Sequence, residues 1–307
     1  AGAYAQLCLG NAVALVCCAL RLGAKMGRPP SPNRLRSNPS GSARDAIGLQ
    51  TAGLQALWSL THHHEAAIEA LQAYGGLHLC LAALRQHPSD AGVQEWGLSL
   101  LWCAASHVGP RRRLAAAAAH QDAISALVTL PELPAVQGVA LGLLHALSVE
   151  PRPCAEIGSS TGLRTVCASL GRHARHAAVQ RAGCAALATL AVSEPGGAAT
   201  CSRIRAEGGV RLARAALRSF CSARGEDAEV VRAATAVLRA LAAKLVPTPG
   251  EEARASPAPR ISTPHTPAHA SQPRGGNDGR STLMTPATAA RSPLEAEAEA
   301  EAEGDDA

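Results

Sequence analysis

The most conspicuous polar cluster in this chain of 307 residues is the run His62-His63-His64. Imidazole is a common ligand of zinc and of other transition metals. Adjacent side chains on a helix point about 100° apart, however, and this suits a closed tetrahedral metal site poorly. The run also falls in a predicted turn, where solvated polar residues are expected. We therefore predict no metal site at these histidines.

The sequence lacks two widespread motifs of enzyme active sites. It contains no Gly-x-x-x-x-Gly-Lys-Ser/Thr phosphate-binding loop and no His-Glu-x-x-His zinc motif. We predict that the chain is not an enzyme in its own right, and that it has no cofactor and no small-molecule substrate.

Charge is unevenly distributed along the chain. Residues 1–44 carry a net charge of +6, residues 45–246 carry +4, and residues 247–307 carry −5. A weakly basic central region with few aromatic residues lacks the dense basic stripe typical of nucleic-acid binding, so nucleic acid is not an expected partner. The run Arg111-Arg112-Arg113 either meets acidic partners, the acidic end of this chain included, or forms a solvated surface.

The ten cysteines are scattered, and no two have the Cys-x-x-Cys spacing of a zinc or redox site. Most stand singly among apolar residues, where a free cysteine behaves as a small hydrophobic side chain. This usage favours a reducing compartment over a disulfide-bonded secreted protein. We expect a cytoplasmic location, with the nucleus as the alternative.

An internal repeat indicates which secondary-structure elements carry these residues. The pattern Val-Gln-x-x-small-x-x-x-Leu recurs with separations of 44, 43, 43 and 51 residues. Its copies begin at Leu49, Val93, Val136, Val179 and Val230. A fixed period of this size is typical of a helical solenoid, in which each unit buries its apolar face against its neighbours. Aromatic residues make up only 2% of the chain, which also favours packed helices over sheets.

Three helices are predicted in each unit. In the first complete unit they are His64–Tyr74, Leu77–Gln86 and Val93–Ala105, with Gly75-Gly76 between the first two. Glycine suits this point because a helix often ends in a left-handed residue. The third unit is less regular: Asp122 stands where glycine is expected, and its second helix is expected to stop early.

Residues 45–246 resemble armadillo repeats in their period, in the Gly-Gly before the second helix, and in the Val-Gln-x-x-small start of the third. The resemblance implies an all-α, right-handed superhelical solenoid of three-helix repeats, whose third helices line a concave groove that holds extended peptides. A HEAT-like solenoid with two helices per unit is the alternative, but it leaves the short first helix unexplained.

The groove of nuclear-import adaptors in this family carries Trp and, four residues later, Asn on each third helix. The corresponding pairs here are Gln55/Ser59, Ser99/Cys103, Gly142/Ala146, Ala185/Thr189 and Ala236/Ala240. None of these pairs is Trp/Asn, which argues against the binding of nuclear-import cargo.

Another column of the third helices is a candidate partner-binding surface. It contains Trp58, Trp102, His145, Ala188 and Arg239, and tryptophan is enriched at binding hot spots. The alternative is that the tryptophans fill space between consecutive third helices. We take Trp58, Trp102, His145 and Arg239, together with Gln55 and Ser99 on the groove, as candidate partner-binding residues.

The repeat domain is flanked by segments of different composition. Residues 1–25 are apolar and are predicted to form a helix of a preceding degenerate repeat, resembling the recurring third helix. Their length also permits a membrane span, although membrane association is not the expected outcome. Residues 26–44 are rich in Pro, Ser and Arg, which predicts a linker or an inserted loop.

Residues 247–307 are rich in Pro, Ser and Thr and show no apolar periodicity, which predicts a disordered tail. The tail ends in an acidic run, Glu295 to Asp306. Its Ser/Thr-Pro dipeptides are candidate phosphorylation sites, at Thr248, Ser256, Thr263, Thr266, Thr285 and Ser292.

The function expected from these features is a non-enzymatic scaffold or adaptor that binds other proteins or extended peptides. Armadillo arrays also occur fused to ubiquitin-ligase U-boxes and to kinases, so one alternative is the substrate-recognition fragment of a larger enzyme. A membrane-tethered scaffold is the other alternative.

Overall fold

A computed structural model describes residues 2–26, 39–62, 64–193, 197–220 and 225–244. This part of the chain is all-α: it contains helices and turns but no strand. The helices are α1 (Gly2–Met26), α2 (Pro39–Thr61), α3 (Glu65–Ala73), α4 (Gly76–Gln86), α5 (Ala91–Ala105), α6 (Val108–Ala116), α7 (Ala119–Thr129), α8 (Pro134–Leu147), α9 (Pro151–Ile157), α10 (Ser160–Arg172), α11 (Ala177–Val192), α12 (Gly197–Ala206), α13 (Gly209–Ser219) and α14 (Gly225–Ala243).

From α3 onwards the helices group into units of three, each made of a short first helix, a second helix and a longer third helix. The third helices α2, α5, α8, α11 and α14 each pack against the next, and the second helices do the same. This packing buries the leucines of the recurring motif, of which Leu57, Leu101, Leu144 and Leu187 are completely inaccessible to solvent.

In the first four copies of the recurring motif, the glutamine ties the third helix to the end of the preceding helix. The last carbonyls of a helix have no partner within the helix. Gln94 Nε2 donates to Leu84 O at 2.8 Å and to His87 O at 3.0 Å. Gln137 donates to Leu127 O and Leu130 O, both at 3.0 Å. These amide groups are almost completely buried, and in each pair the bond to the leucine of the second helix, Leu84 O or Leu127 O, is buried as well.

The small residue of the motif lets a leucine of the second helix approach the third helix. A Cβ atom on Gly97 would lie 2.7 Å from the side chain of Leu84, and one on Gly183 would lie 2.6 Å from Leu170. Real Cβ atoms do not approach other atoms so closely, and the position therefore excludes larger side chains. The hydrogen bonds of the glutamine and the close approach of the leucine to the small residue together account for the Gln-x-x-small spacing.

Helix α1 occupies the position of a second helix. Gln50 Nε2 of α2 donates to Leu20 O at 2.9 Å, just as Gln94 donates to Leu84 O. A Cβ on Gly53 would lie 2.6 Å from Leu20. The segment is expected to resemble a third helix, but its contacts are those of a second helix. The third helix that follows it is α2.

Helix α1 is long and apolar enough to cross a membrane, over the stretch Cys8–Lys25. Its inner face is nevertheless buried in protein, with Val13, Cys17 and Leu20 at most 1% exposed. Helix α2 begins at Pro39, inside the Pro-rich segment 26–44. Proline is favoured in the first turn of a helix, where its missing N–H needs no partner.

The turn between the first and second helices uses a left-handed residue in three units. Gly75 has φ 72° and Gly208 has φ 80°, and the third residue of this kind is Ala118, with φ 59°. The expectation that Asp122 replaces the glycine is therefore wrong, since Ala118 holds that position. Helix α7 is not shortened: like α4 it has 11 residues. Asp122 instead accepts hydrogen bonds from Arg85, at 2.8 and 2.9 Å.

Candidate interaction site

A pocket of about 580 Å³ opens where the C-terminal ends of α2 and α5 meet the beginning of α3. Its lining combines two tryptophans with histidines and small polar side chains. The lining residues are Trp58, Thr61, His62, His64, Glu65, Ser99, Trp102, Cys103, Ser106, His107 and Val139. A volume of this size lies within the range of ligand pockets, about 300–1,000 Å³. We call it the tryptophan pocket.

Trp102 has two roles in this arrangement. Its indole packs against Gly142 of α8, where a Cβ atom would lie 2.6 Å from the ring. The Arg181 guanidinium of α11 stands 5.9 Å from the ring centroid, within reach of a cation–π attraction. These contacts fill space between consecutive third helices. Trp102 also lines the tryptophan pocket, where it is available to a partner.

Trp58 belongs to an aromatic cluster at the end of α2. Its ring centroid lies 4.7 Å from that of His62 and 5.3 Å from that of Trp96. Aromatic pairs at such distances hold one another in place. Trp96 was not among the expected site residues, because it lies one position before the small residue of the motif and outside the column of Trp58 and Trp102.

The polar groups of the tryptophan pocket are linked across units. The Cys103 thiol lies 3.8 Å from Thr61 O, and the His107 Nδ1 lies 3.9 Å from the Glu65 carboxylate. Burial raises the pKa of the Cys103 thiol above its ordinary value, so this side chain stays neutral and weakly polar. The pocket therefore combines apolar tryptophan surface with hydrogen-bonding groups.

The expected site residues do not all come together. Ser99 lines the tryptophan pocket with Trp58 and Trp102. Gln55 is exposed on α2, and Arg239 is exposed on α14; neither lines this pocket. His145 is half-buried on α8, where burial and the neighbouring Arg181 lower the pKa of its imidazole. It is therefore a neutral packing residue rather than a charged contact.

All six candidate phosphorylation sites, Thr248 to Ser292, lie outside the described residues. Within the described residues, no group of three or more His, Cys, Asp or Glu side chains is placed to hold a metal ion. His62 and His64 instead line the tryptophan pocket.

One serine has the sequence context of a hydrolase nucleophile. Residues Gly158 to Gly162 read Gly-Ser-Ser-Thr-Gly, which matches the Gly-x-Ser-x-Gly pattern. In hydrolases this pattern forms a sharp turn from a strand into a helix. Here it joins α9 to α10. Ser160, which holds the nucleophile position of the pattern, is the first residue of α10, and the hydroxyl of the preceding Ser159 accepts a hydrogen bond from Gly162 N at 3.2 Å as a helix cap. The pattern is therefore explained by capping and close helix packing.

Comparison of the chain with protein-family models and with curated proteins found no match. Function is therefore inferred from the tryptophan pocket and from the surfaces around it.

Proposed function

We propose that this chain is a non-enzymatic protein-interaction scaffold, built as an armadillo-type solenoid, and that the tryptophan pocket receives an apolar side chain of a partner peptide. The observation that carries the proposal is the position of Trp58 and Trp102 on two consecutive third helices, lining one pocket of about 580 Å³. Third helices form the peptide-binding face in armadillo proteins, which the chain resembles.

Three helices per unit support the armadillo type over the HEAT type. Each unit from α3 to α14 contains a short first helix in addition to the packed pair. The proposal includes the right-handed superhelix of the family and a cytoplasmic location. It requires no cofactor, no nucleic acid and no membrane.

The chemistry of the pocket indicates the kind of side chain it would take. Tryptophan surfaces favour aliphatic or aromatic groups, and binding energy at protein interfaces concentrates where such groups are fully desolvated. Ser99 and the histidines at the pocket provide hydrogen-bonding groups for the peptide backbone on either side. We therefore expect an extended peptide with one large apolar anchor residue.

The test is to select peptides that bind the full chain from a displayed random library and then to measure the affinity of the selected peptides. Ser99→Trp should fill the pocket and weaken those peptides at least about tenfold, the loss of one hot-spot contact. The matched control is Ala168→Trp, which adds the same side chain at an exposed position of the second helix α10, outside the pocket.

Circular dichroism must first show that both variants keep the helical content of the parent. The proposal is supported if the selected peptides share a large apolar residue and lose affinity only for the Ser99→Trp variant. Selected peptides that bind both variants equally, or a failure to select any peptide, would overturn it.

A further inference from the structure

Consecutive units meet at a joint, where a second helix reaches the first helix of the next unit. In two of these joints, an arginine of the second helix donates a hydrogen bond to the end of that first helix. Arg21 of α1 donates to Tyr74 O, and Arg85 of α4 donates to Ala117 O at 3.0 Å. The last carbonyls of a helix have no partner within the helix, so each guanidinium group binds a carbonyl that the helix leaves free.

A third joint uses the same acceptor position but a side chain instead of the main chain. Arg164 of α10 pairs with the Glu207 carboxylate at 3.6 Å. Glu207 directly precedes the left-handed Gly208, just as Tyr74 directly precedes the left-handed Gly75. The acceptor in all three joints is therefore the residue before the left-handed turn, with its main-chain carbonyl in two joints and its carboxylate in the third.

Helix α13 carries an arginine at both of the donor positions. Counted from the glycine near the start of each second helix, Arg218 is equivalent to Arg85 and Arg211 is equivalent to Arg164. Both side chains are exposed. Among the described residues, no carboxylate lies within 4.0 Å of either guanidinium group. These two positions of α13 thus present donors that bind the end of a helix in earlier joints.

Arg211 and Arg218 lie on one concave surface of about 390 Å³, which we call the arginine groove. Its other lining residues are Arg205, Gly208, Val210 and Arg214. Glu207 borders the groove, so its charge is not of one sign only, but this carboxylate already pairs with Arg164. With four arginines in its lining, the groove attracts groups that carry negative charge.

Arg214 limits what can dock in the groove. Its equivalents in α4 and α10, Leu81 and Cys167, are buried, whereas Arg214 is exposed. The apolar face of a complete further repeat would remove this guanidinium group from water without a partner, which is unfavourable. A polar outer face is also typical of a terminal repeat. The groove therefore suits a polar, negatively charged group rather than an apolar helix face.

The C-terminal end of a helix has this chemistry. Its free carbonyls carry a partial negative charge, and an acidic side chain in its last turn adds a full charge. Arg218 stands at the position from which Arg85 binds a carbonyl, and Arg211 at the position from which Arg164 binds a carboxylate. Arginine forms paired hydrogen bonds with carboxylates.

We propose that the arginine groove binds the C-terminal end of a helix of a partner protein, and that the last turn of this helix contains a glutamate or an aspartate. The partner helix then takes the place that a first helix takes in the earlier joints. The groove lies on α12 and α13, apart from the tryptophan pocket, so this docking does not depend on the proposed function.

The experiment uses two designed helical peptides of about 20 residues, rich in alanine and glutamine, acetylated and amidated, a length at which isolated helices form in water. One peptide carries two glutamates in its last turn, and the matched peptide carries the same two glutamates in its first turn. The two peptides thus have equal charge and composition, and only the first offers an acidic C-terminal end. Fluorescence anisotropy at low ionic strength measures their binding to the full chain.

Two charge reversals of the full chain locate the site. The groove reversal is Arg211→Glu with Arg218→Glu, and the control reversal is Arg112→Glu with Arg113→Glu, which changes two exposed arginines of α6. Circular dichroism must show that both keep the helical content of the wild type. If the groove reversal does not, Arg211→Gln with Arg218→Gln takes its place.

The wild type should bind the peptide with the acidic C-terminal end at least about fivefold more tightly than the matched peptide. The groove reversal should remove this preference, and the control reversal should retain it. Equal binding of the two peptides, a preference that survives the groove reversal or is lost in the control reversal, or no binding at all would overturn the proposal. A single-stranded DNA 12-mer that binds more tightly than either peptide, and only when the groove is intact, would overturn it in favour of nucleic acid.

Discussion

Trp102 of α5 rests against Gly142 of α8, so closely that a Cβ atom on Gly142 would fall 2.6 Å from the indole ring. One residue therefore both joins two units and lines the tryptophan pocket. The stability of the stack and the shape of the pocket are coupled at this contact.

The first prediction follows from that coupling. Gly142→Ala should lower the free energy of unfolding by about 1–2 kcal/mol, since overpacking costs more than the gain in helix propensity. It should also alter the near-ultraviolet circular dichroism of the tryptophans. Denaturant unfolding provides the measurement. The matched control is Gly138→Ala on the same helix, where the nearest atom to a Cβ is at 3.7 Å; equal effects of the two changes would contradict the prediction.

The second prediction concerns the left-handed turn before α7. Ala118 has φ 59°, a conformation that costs an L-residue about 1–2 kcal/mol. Ala118→Gly should raise the free energy of unfolding by about 0.5–1 kcal/mol, after the greater freedom of glycine in the unfolded chain is subtracted. Gly75→Ala, at the equivalent turn with φ 72°, should lower it by a similar amount. The midpoints of denaturant unfolding measure the stability of both variants. A loss of stability in Ala118→Gly would show that the turn is not strained.

The helices were largely predictable from the sequence because their signals are local. The third helix expected at Val93–Ala105 is observed as α5, Ala91–Ala105. The role of α1 as a second helix was not predictable from the sequence. Gln50 bonds to it through the main-chain carbonyl of Leu20, a group that every residue possesses.

The tryptophan pocket was predictable only in part, because it forms where ends of helices from different units meet. Trp58, Trp102 and Ser99 were anticipated from their columns on the third helix. His107 reaches the pocket from the turn before α6 and Glu65 reaches it from the first residue of α3, while Trp96 supports it from another side of α5. The repeat pattern of the sequence gives no indication of these contacts.

The third prediction concerns the buried glutamines. Gln137→Leu retains most of the side-chain volume but leaves Leu127 O without this donor, while Leu130 O keeps only its bond from Leu133 N. The expected loss is about 1–3 kcal/mol of unfolding free energy, the cost of an unsatisfied buried carbonyl. Gln55→Leu, at an exposed position of α2, is the control and should change stability by less than about 0.5 kcal/mol. Similar losses in the two variants would refute the proposed role of the amide.

The fourth prediction concerns acid stability. Hydrogen bonds to the Glu156 carboxylate, first from Gln121 and then from His120 and Arg152, lower its pKa from 4.5 to about 2. A carboxyl group whose pKa is lower in the folded state stabilises the fold above pH 4.5, and that stabilisation is lost as the pH falls towards 2. The difference in stability between the wild type and Glu156→Gln should therefore be largest near neutral pH and shrink over this window.

Urea unfolding at intervals between pH 6 and pH 2 measures this difference. Glu69→Gln, which changes an exposed carboxylate of α3, provides the comparison and should run parallel to the wild type. A constant difference between the wild type and Glu156→Gln across the window would mean that the carboxylate is not held by these contacts.

The last prediction tests the packing of α1 through two adjacent cysteines. Cys17 is completely buried against the neighbouring helices, and burial raises the pKa of its thiol, whereas Cys18 is exposed. The thiolate is the reactive form, and a buried thiol reacts only when its helix opens. In the folded protein, alkylation of Cys17 should therefore be at least about tenfold slower than that of Cys18. Mass spectrometry of Cys17→Ser and Cys18→Ser variants resolves the two rates, and denaturant should equalise them. Equal rates without denaturant would mean that α1 does not pack as a second helix, and its apolar surface would then favour membrane association instead.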